Sequence, residues 1–200
     1  MQIMTETSID FASAREAMIN SQLRTSGVNA GWVLARMRDV PRETFVPASA
    51  RVAAYGDRAV RLEDERFLAA PVFYGTLLQE ARPVASDRVL IVSCAPDYLA
   101  ELVRPLVAEL RTLTPEEALQ PPESSQDATL LLIDGAAEEV PAALVARLAP
   151  DGRAAGGIIR SGVQRLATGR VVGDELVWQA VIEMGIPRLT AFDAPRSWRF

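Results

Sequence analysis

Beyond residue 87 the chain alternates short β-rich apolar runs with helix-like stretches, and that alternation limits the fold more than any other feature. Arg88-Val89-Leu90-Ile91-Val92 is the first run, followed by Pro96-Asp97 and a helical stretch from Tyr98 to about Val107. Leu130 to Ile133 is the second, stopped by Asp134-Gly135 and backed by a helix-like Val140 to Leu148. Arg153 to Ile159, opened by Asp151-Gly152, is the third. Short buried strands alternating with helices indicate a parallel α/β sheet, because helices cover both of its faces. The carboxyl-terminal part breaks the pattern. Gln164 to Val172, the turn signal Gly173-Asp174 and Leu176 to Val181 predict an antiparallel hairpin.

The amino-terminal part is helical in texture. Residues 10–38 predict two helices, the first capped by Ser13 with Glu16 and presenting Ala17, Met18 and Leu23. Gly27 supplies a stop, Asn29 a new cap, and Trp32, Val33, Leu34 and Met37 a second apolar stripe. Val40-Pro41 and Val46-Pro47 bracket a connector, and a further helix is expected from Val72 to Ala81, ended by Pro83. The polar segment Thr114 to Asp127, with three prolines, predicts a loop. With no repeat and no linker, 200 residues fit one domain, residues 1–200: a helical cap over 1–83 and a sheet over 84–200.

Charge and composition exclude several classes of chemistry. A net charge of -5 argues against non-specific nucleic-acid binding. The one cysteine, Cys94, allows no intrachain disulfide and no thiolate zinc site. The absence of histidine removes Ser/His and Cys/His nucleophilic sites and His-ligated metals. The opening MQIMTETSID lacks the pattern of a signal peptide, and the longest strongly apolar run, Ala128 to Ile133, is far shorter than a membrane span. A cytoplasmic location is expected.

The stretch from Ala14 to Val60 carries Met18, Gln22-Leu23-Arg24, Val33-Leu34, Val40-Pro41-Arg42-Glu43, Phe45-Val46-Pro47, and Ala54-Tyr55 with Asp57. This set of landmarks resembles the amino-terminal signature of the protein-L-isoaspartate O-methyltransferases. Weaker similarity continues through Val89-Leu90, Tyr98, the Asp127 to Leu148 segment and Gly152-Arg153. The resemblance implies a Rossmann-like methyltransferase fold, S-adenosylmethionine as cofactor, and methylation of isoaspartyl carboxylates that starts the repair of damaged proteins.

Against that pattern the departures are specific. Where the family has a GxGxG loop after its first strand, this chain has Ser93-Cys94-Ala95-Pro96-Asp97, with Ser93, Ala95 and Asp97 at the glycine positions. Glycine there allows close backbone approach to the cofactor, and each added Cβ intrudes on that space. Asp97 is expected to act as a plain helix N-cap. The acidic residue that holds the ribose is missing near Leu110 to Leu113, because Glu109 falls three residues early. The helix, strand and adenine-side loop that follow in the family have no room before Asp127. The family's GxGQTxSxP stretch aligns with Glu63 to Pro71, EDERFLAAP, so Phe67 stands for the threonine and Ala69 for the serine. Glu63 and Glu65, in place of glycines, repel a carboxylate substrate.

Other positions have plain readings beside functional ones. Cys94 follows a buried strand and is expected to be a small core residue. Asp134 stands at a strand's carboxyl end, where doubly wound sheets place ligand-binding groups, or else caps the next turn. The run Glu63, Asp64, Glu65, Arg66 predicts a solvated loop, with a metal as the alternative and none expected. Arg196-Ser197-Trp198-Arg199-Phe200 either docks on the sheet or forms a contact surface. Together these features predict a non-catalytic relative that needs no cofactor and acts by binding a protein partner, a copy of itself or a small ligand. The alternatives are an active S-adenosylmethionine-dependent carboxyl methyltransferase with an unusual pocket, and an obligate subunit of an active paralogue.

Overall fold

The computed structural model describes residues 10–63, 66–95, 97–122 and 127–195. Helix α1 (Phe11–Met18) is capped by Asp10, whose carboxylate accepts from the Ser13 amide at 3.1 Å and its hydroxyl at 2.6 Å. The cap therefore precedes the predicted Ser13–Glu16 pair, and Glu16 turns instead to Arg38. Ile19–Leu23 continues the helix as a wider π turn, which closes at Gly27. Helix α2 (Gly31–Asp39) is not capped by Asn29. The Asn29 and Ala30 amides both donate to Oε1 of Gln79, at 2.9 and 3.1 Å, so a side chain distant in sequence supplies the acceptor.

Two 3₁₀ turns (Arg42–Phe45 and Ala48–Ala53) follow the prolines, and the short strands β1 (Val60–Arg61) and β2 (Phe67–Leu68) pair antiparallel. Helix α3 (Pro71–Ala81) starts on proline, whose missing N–H costs nothing there, and buries Phe73, Tyr74, Leu77 and Leu78 completely. It ends one residue before the predicted proline stop, at Arg82 in the left-handed conformation (φ 47°). That geometry costs a residue with a Cβ about 1–2 kcal/mol.

The main sheet contains β3 (Arg88–Ser93), β4 (Glu109–Leu113), β5 (Ala128–Ala137), β6 (Leu148–Arg160), β7 (Val163–Val172) and β8 (Glu175–Glu183), in the order β4-β3-β5-β6-β7-β8. The first four are parallel, and β7 and β8 are appended antiparallel, which is the mostly parallel α/β sheet with a terminal hairpin. Helix α4 (Tyr98–Val103) is shorter than predicted, because Pro105 lacks the amide that a further turn requires. The segment after β4 is not all loop: α5 (Pro115–Ala118) forms one turn under a Thr114–Glu117 capping box. Helix α6 (Ala142–Val145) is also short, since Leu148 already belongs to β6.

Asp134-Gly135 does not stop β5. The strand passes through a bulge between Ile133 and Ala136, with Gly135 at φ 149° against Leu189, and Ala136 then pairs with the segment at Arg188. Alternation along β3 and β5 sends Val89, Ile91, Leu130 and Leu132 toward the cap helices, α3 and α4. Leu90, Val92, Leu131 and Ile133 point the other way, toward Leu144 and Phe192. No helix among the described residues is long and apolar enough to cross a membrane.

Candidate functional site: a cleft at the carboxyl ends of the parallel strands

A cleft of about 1520 Å³ opens where β3, β4 and β5 end. Its floor is the turn from β3 into α4. There Ser93 Oγ donates to Asp134 Oδ2 at 2.9 Å and accepts the Ala95 amide at 3.0 Å. None of Ser93, Cys94, Ala95 or Asp97 has a positive φ, so the described part of this turn has no conformation that demands glycine. Asp97 occupies the N-cap position of α4, but its side chain makes no capping bond; it is exposed and lines the cleft. Pro96 lies outside the described residues.

Asp134 is the buried end of this floor, at 8% exposure. Burial pushes its carboxyl up to about 6, against the hydrogen bonds from Ser93 and Tyr74 and the charge of Arg42. The Tyr74 hydroxyl donates to the same oxygen at 3.2 Å and accepts the Ala69 amide at 3.3 Å. Burial, with the Asp134 charge behind it, holds that phenol well above its ordinary range, so it keeps its proton and donates. Arg42, fully buried, lies over the rings of Tyr74 and Tyr98 at 5.5 and 5.2 Å. It donates to the Ala54 carbonyl at 2.7 Å and to the Ala69 carbonyl. Its Nη1 and the Tyr98 hydroxyl have no hydrogen-bond partner among the described residues.

Of the two substrate-side positions, the structure brings only one to the cleft. Phe67 lines it, 42% exposed, whereas Ala69 is buried and gives its backbone to Arg42 and Tyr74. Asp64 and Glu65 lie outside the described residues, as does the segment 196–200. Cys94 is half-buried, and burial, followed by the charges of Glu116 and Asp134, raises its thiol to about 11. A thiol held that high stays protonated near neutral pH, which slows its reaction with electrophiles.

Glu109 opens β4, at the end remote from the cleft. The carboxylate that faces the cleft from this strand's other end is Glu116, which sequence reasoning missed. Its neighbour Glu117 is engaged in the capping box with the Thr114 amide at 2.8 Å, whereas the Glu116 side chain makes no hydrogen bond or ion pair among the described residues. The Thr114-x-x-Glu117 pattern, which marks a helical turn carrying Glu116, was the available signal. The Arg42–Tyr74–Asp134 chain had no local signal at all.

A parallel sheet under a helical cap, with its cleft at the strands' carboxyl ends, defines a Rossmann-like protein of the methyltransferase fold. The protein-L-isoaspartate(D-aspartate) O-methyltransferase model matches residues 13–114 of the 200, and the chain belongs to that family. It is 32% identical over 111 residues to the protein-L-isoaspartate O-methyltransferase of Roseiflexus castenholzii, covering 56% of this chain and 50% of that one. The corresponding enzyme of Methanoculleus marisnigri is 27% identical over 165 residues, covering 70% of this chain and 74% of its own. The chain thus spans about half the length of the curated relatives it first matches. A solved protein-L-isoaspartate O-methyltransferase superimposes with a TM-score of 0.67 at 17% identity, over 88% of this chain and 65% of that one. A Plasmodium falciparum protein described by the same activity, in complex with S-adenosyl-L-homocysteine, gives 0.67 at 13% identity, over 88% and 98%.

Proposed function

We propose that this protein is a non-catalytic member of the isoaspartyl methyltransferase family, acting by binding in or around the remodelled cleft. One observation carries this reading: Ser93 fills the turn where the family's glycines admit a cofactor. Its hydroxyl uses the Ala95 amide and the Asp134 carboxylate, so the backbone donor of that turn is satisfied internally. A ligand entering there must break two hydrogen bonds and displace a side chain, at about 1 kcal/mol per bond. The residues present therefore do not fit S-adenosylmethionine in the family's manner, and no methyl-transfer step is assigned. Phe67 in place of a hydroxyl supports the same reading on the substrate side.

Isothermal titration with S-adenosylmethionine and S-adenosylhomocysteine tests it. The expected result is no saturable heat up to about 1 mM, weaker than roughly 4 kcal/mol of binding. A micromolar dissociation constant favours the second reading, a working carboxyl methyltransferase. Glu116, free to take a hydroxyl pair at the end of β4, supports that alternative. The partner belongs to the same proposal: another protein or a second copy, met through the cap and residues 196–200. Light scattering and pull-downs on the full chain and on a form ending at residue 195 decide it. The expected loss is of association without a change in melting point, and a monomer that captures nothing in either form rejects the contact.

A further inference from the structure

A second concavity, of about 530 Å³, lies at the opposite end of the sheet, where α3 ends beside β6, β7 and β8. Glu80 and Arg82 line it from the helix; Arg153, Thr168, Arg170 and Gln179 line it from the strands. The ladder puts the four strand residues on one face, because Arg153 pairs directly with Arg170 and Thr168 directly with Gln179. Val172 and Val177 add an apolar wall.

Three local rules are broken here at once. Arg82 ends α3 in a left-handed conformation, a position where glycine is favoured. Arg153 and Arg170 stand directly opposite each other, where like charges repel. Finally, the side chains of Arg82 and Arg170 have no ion-pair partner among the described residues, in a chain that carries 26 acidic residues against 21 basic ones. Only Arg153 is neutralised, by Asp87 at 2.6 and 2.9 Å. The same guanidinium donates to the Arg82 carbonyl at 3.0 Å, which fixes the strained residue beside it. The two arginine side chains left without an acidic partner, beside a third that Asp87 anchors, mark this groove as a functional position.

We infer that this groove binds a small phosphorylated molecule, with Arg82 and Arg170 holding the phosphoryl oxygens and Arg153 anchored beside them by Asp87. Guanidinium forks match phosphoryl oxygens in pairs, and a doubly charged phosphoryl group balances two uncompensated arginines where one carboxylate does not. Thr168 and Gln179 supply neutral donors, and Glu80 accepts from hydroxyls on the organic part. The volume suits a small ligand and not a macromolecular surface. The site is separate from the cleft and stands whether or not that cleft takes a cofactor.

Amide chemical-shift titration of the full chain tests the assignment with ribose 5-phosphate, inorganic phosphate and succinate. Ribose 5-phosphate is expected to saturate near or below about 1 mM, moving the amides of Arg82, Thr168, Arg170 and Gln179. Succinate is expected to bind at least about tenfold more weakly. R82G and R170T each remove a local conflict, so each should melt no lower than the wild type while weakening ribose 5-phosphate about tenfold or more. Either variant alone decides the matter. The inference is overturned if neither phosphate compound saturates, if the shifts fall on Ser93 to Ala95 instead, if succinate binds equally well, or if either variant binds like the wild type.

Discussion

The cap segment from Ala14 to Val60 keeps the landmarks that resemble the family's, whereas the β3–α4 turn carries Ser93, Ala95 and Asp97 where that resemblance implies glycines. The difference is physical. In the cap, Met18, Leu23, Val33 and Met37 are buried in the core that joins cap to sheet. Its polar landmarks are just as constrained. Arg15 donates to the Tyr55 hydroxyl at 2.7 Å and to Glu43 at 3.0 Å, and Tyr55 donates to Glu43. Each of these residues has a packing or bonding partner in the folded chain, so folding alone holds it. The turn at Ser93 faces a cleft, and none of its described residues adopts a conformation for which folding requires glycine. A match in the cap is therefore evidence of ancestry and of fold, while the turn is where evidence of activity resides.

The comparison breaks most severely at Arg42. Replacing it by methionine leaves the Ala54 and Ala69 carbonyls without donors in a buried setting, and should cost about 3 kcal/mol or more by urea denaturation. A loss below about 1 kcal/mol contradicts the claim that folding holds the cap's polar landmarks.

Asp134 sits on the cleft side of the same network and should respond in the opposite direction. Its folded carboxyl titrates at about 6 against an ordinary 3.8, so the native state binds the proton more tightly than the unfolded chain. Stability therefore falls as pH rises through that interval, and the penalty is complete above it. D134N should stabilise the protein by on the order of 2 kcal/mol at pH 7 and flatten the slope between about pH 4 and 6. Denaturation series at four pH values show it, and an unchanged slope contradicts the buried-carboxylate account.

Restoring the glycines tests the turn itself. The triple variant S93G, A95G and D97G should lose about 1–2 kcal/mol, from the Ser93 hydrogen bonds and added chain entropy. It should gain no isoaspartyl methylation, because Phe67 and the missing adenine-side elements remain. Radiolabel transfer well above the wild type shows the substrate side to be intact. The smallest effect is expected at Glu116, whose charge helps hold the Cys94 thiol at about 11. E116Q should leave stability within about 0.5 kcal/mol and speed alkylation of Cys94 modestly, since burial, the larger cause, persists. A slower reaction contradicts the placement of that carboxylate.

Much of this was legible in the linear chain. The apolar runs at residues 88–92, 130–133 and 153–159 gave β3, β5 and β6, and Gly173-Asp174 gave the hairpin, because periodicity and turn chemistry act within a few residues. The sequence also singled out Asp134 as a ligand-side candidate, and the ladder pairs it with Ser93 of the non-glycine turn. Only the tertiary structure decided the rest. It gave α2 an acceptor from Gln79, carried β5 past Asp134-Gly135, withdrew Ala69 from the cleft and brought Glu116 to it. Ser93 and Tyr74 reach Asp134 across 41 and 60 residues of chain. Contacts at that separation leave no local pattern to read; packing of the cap against the sheet creates them, and with them the environment that sets the Asp134 charge.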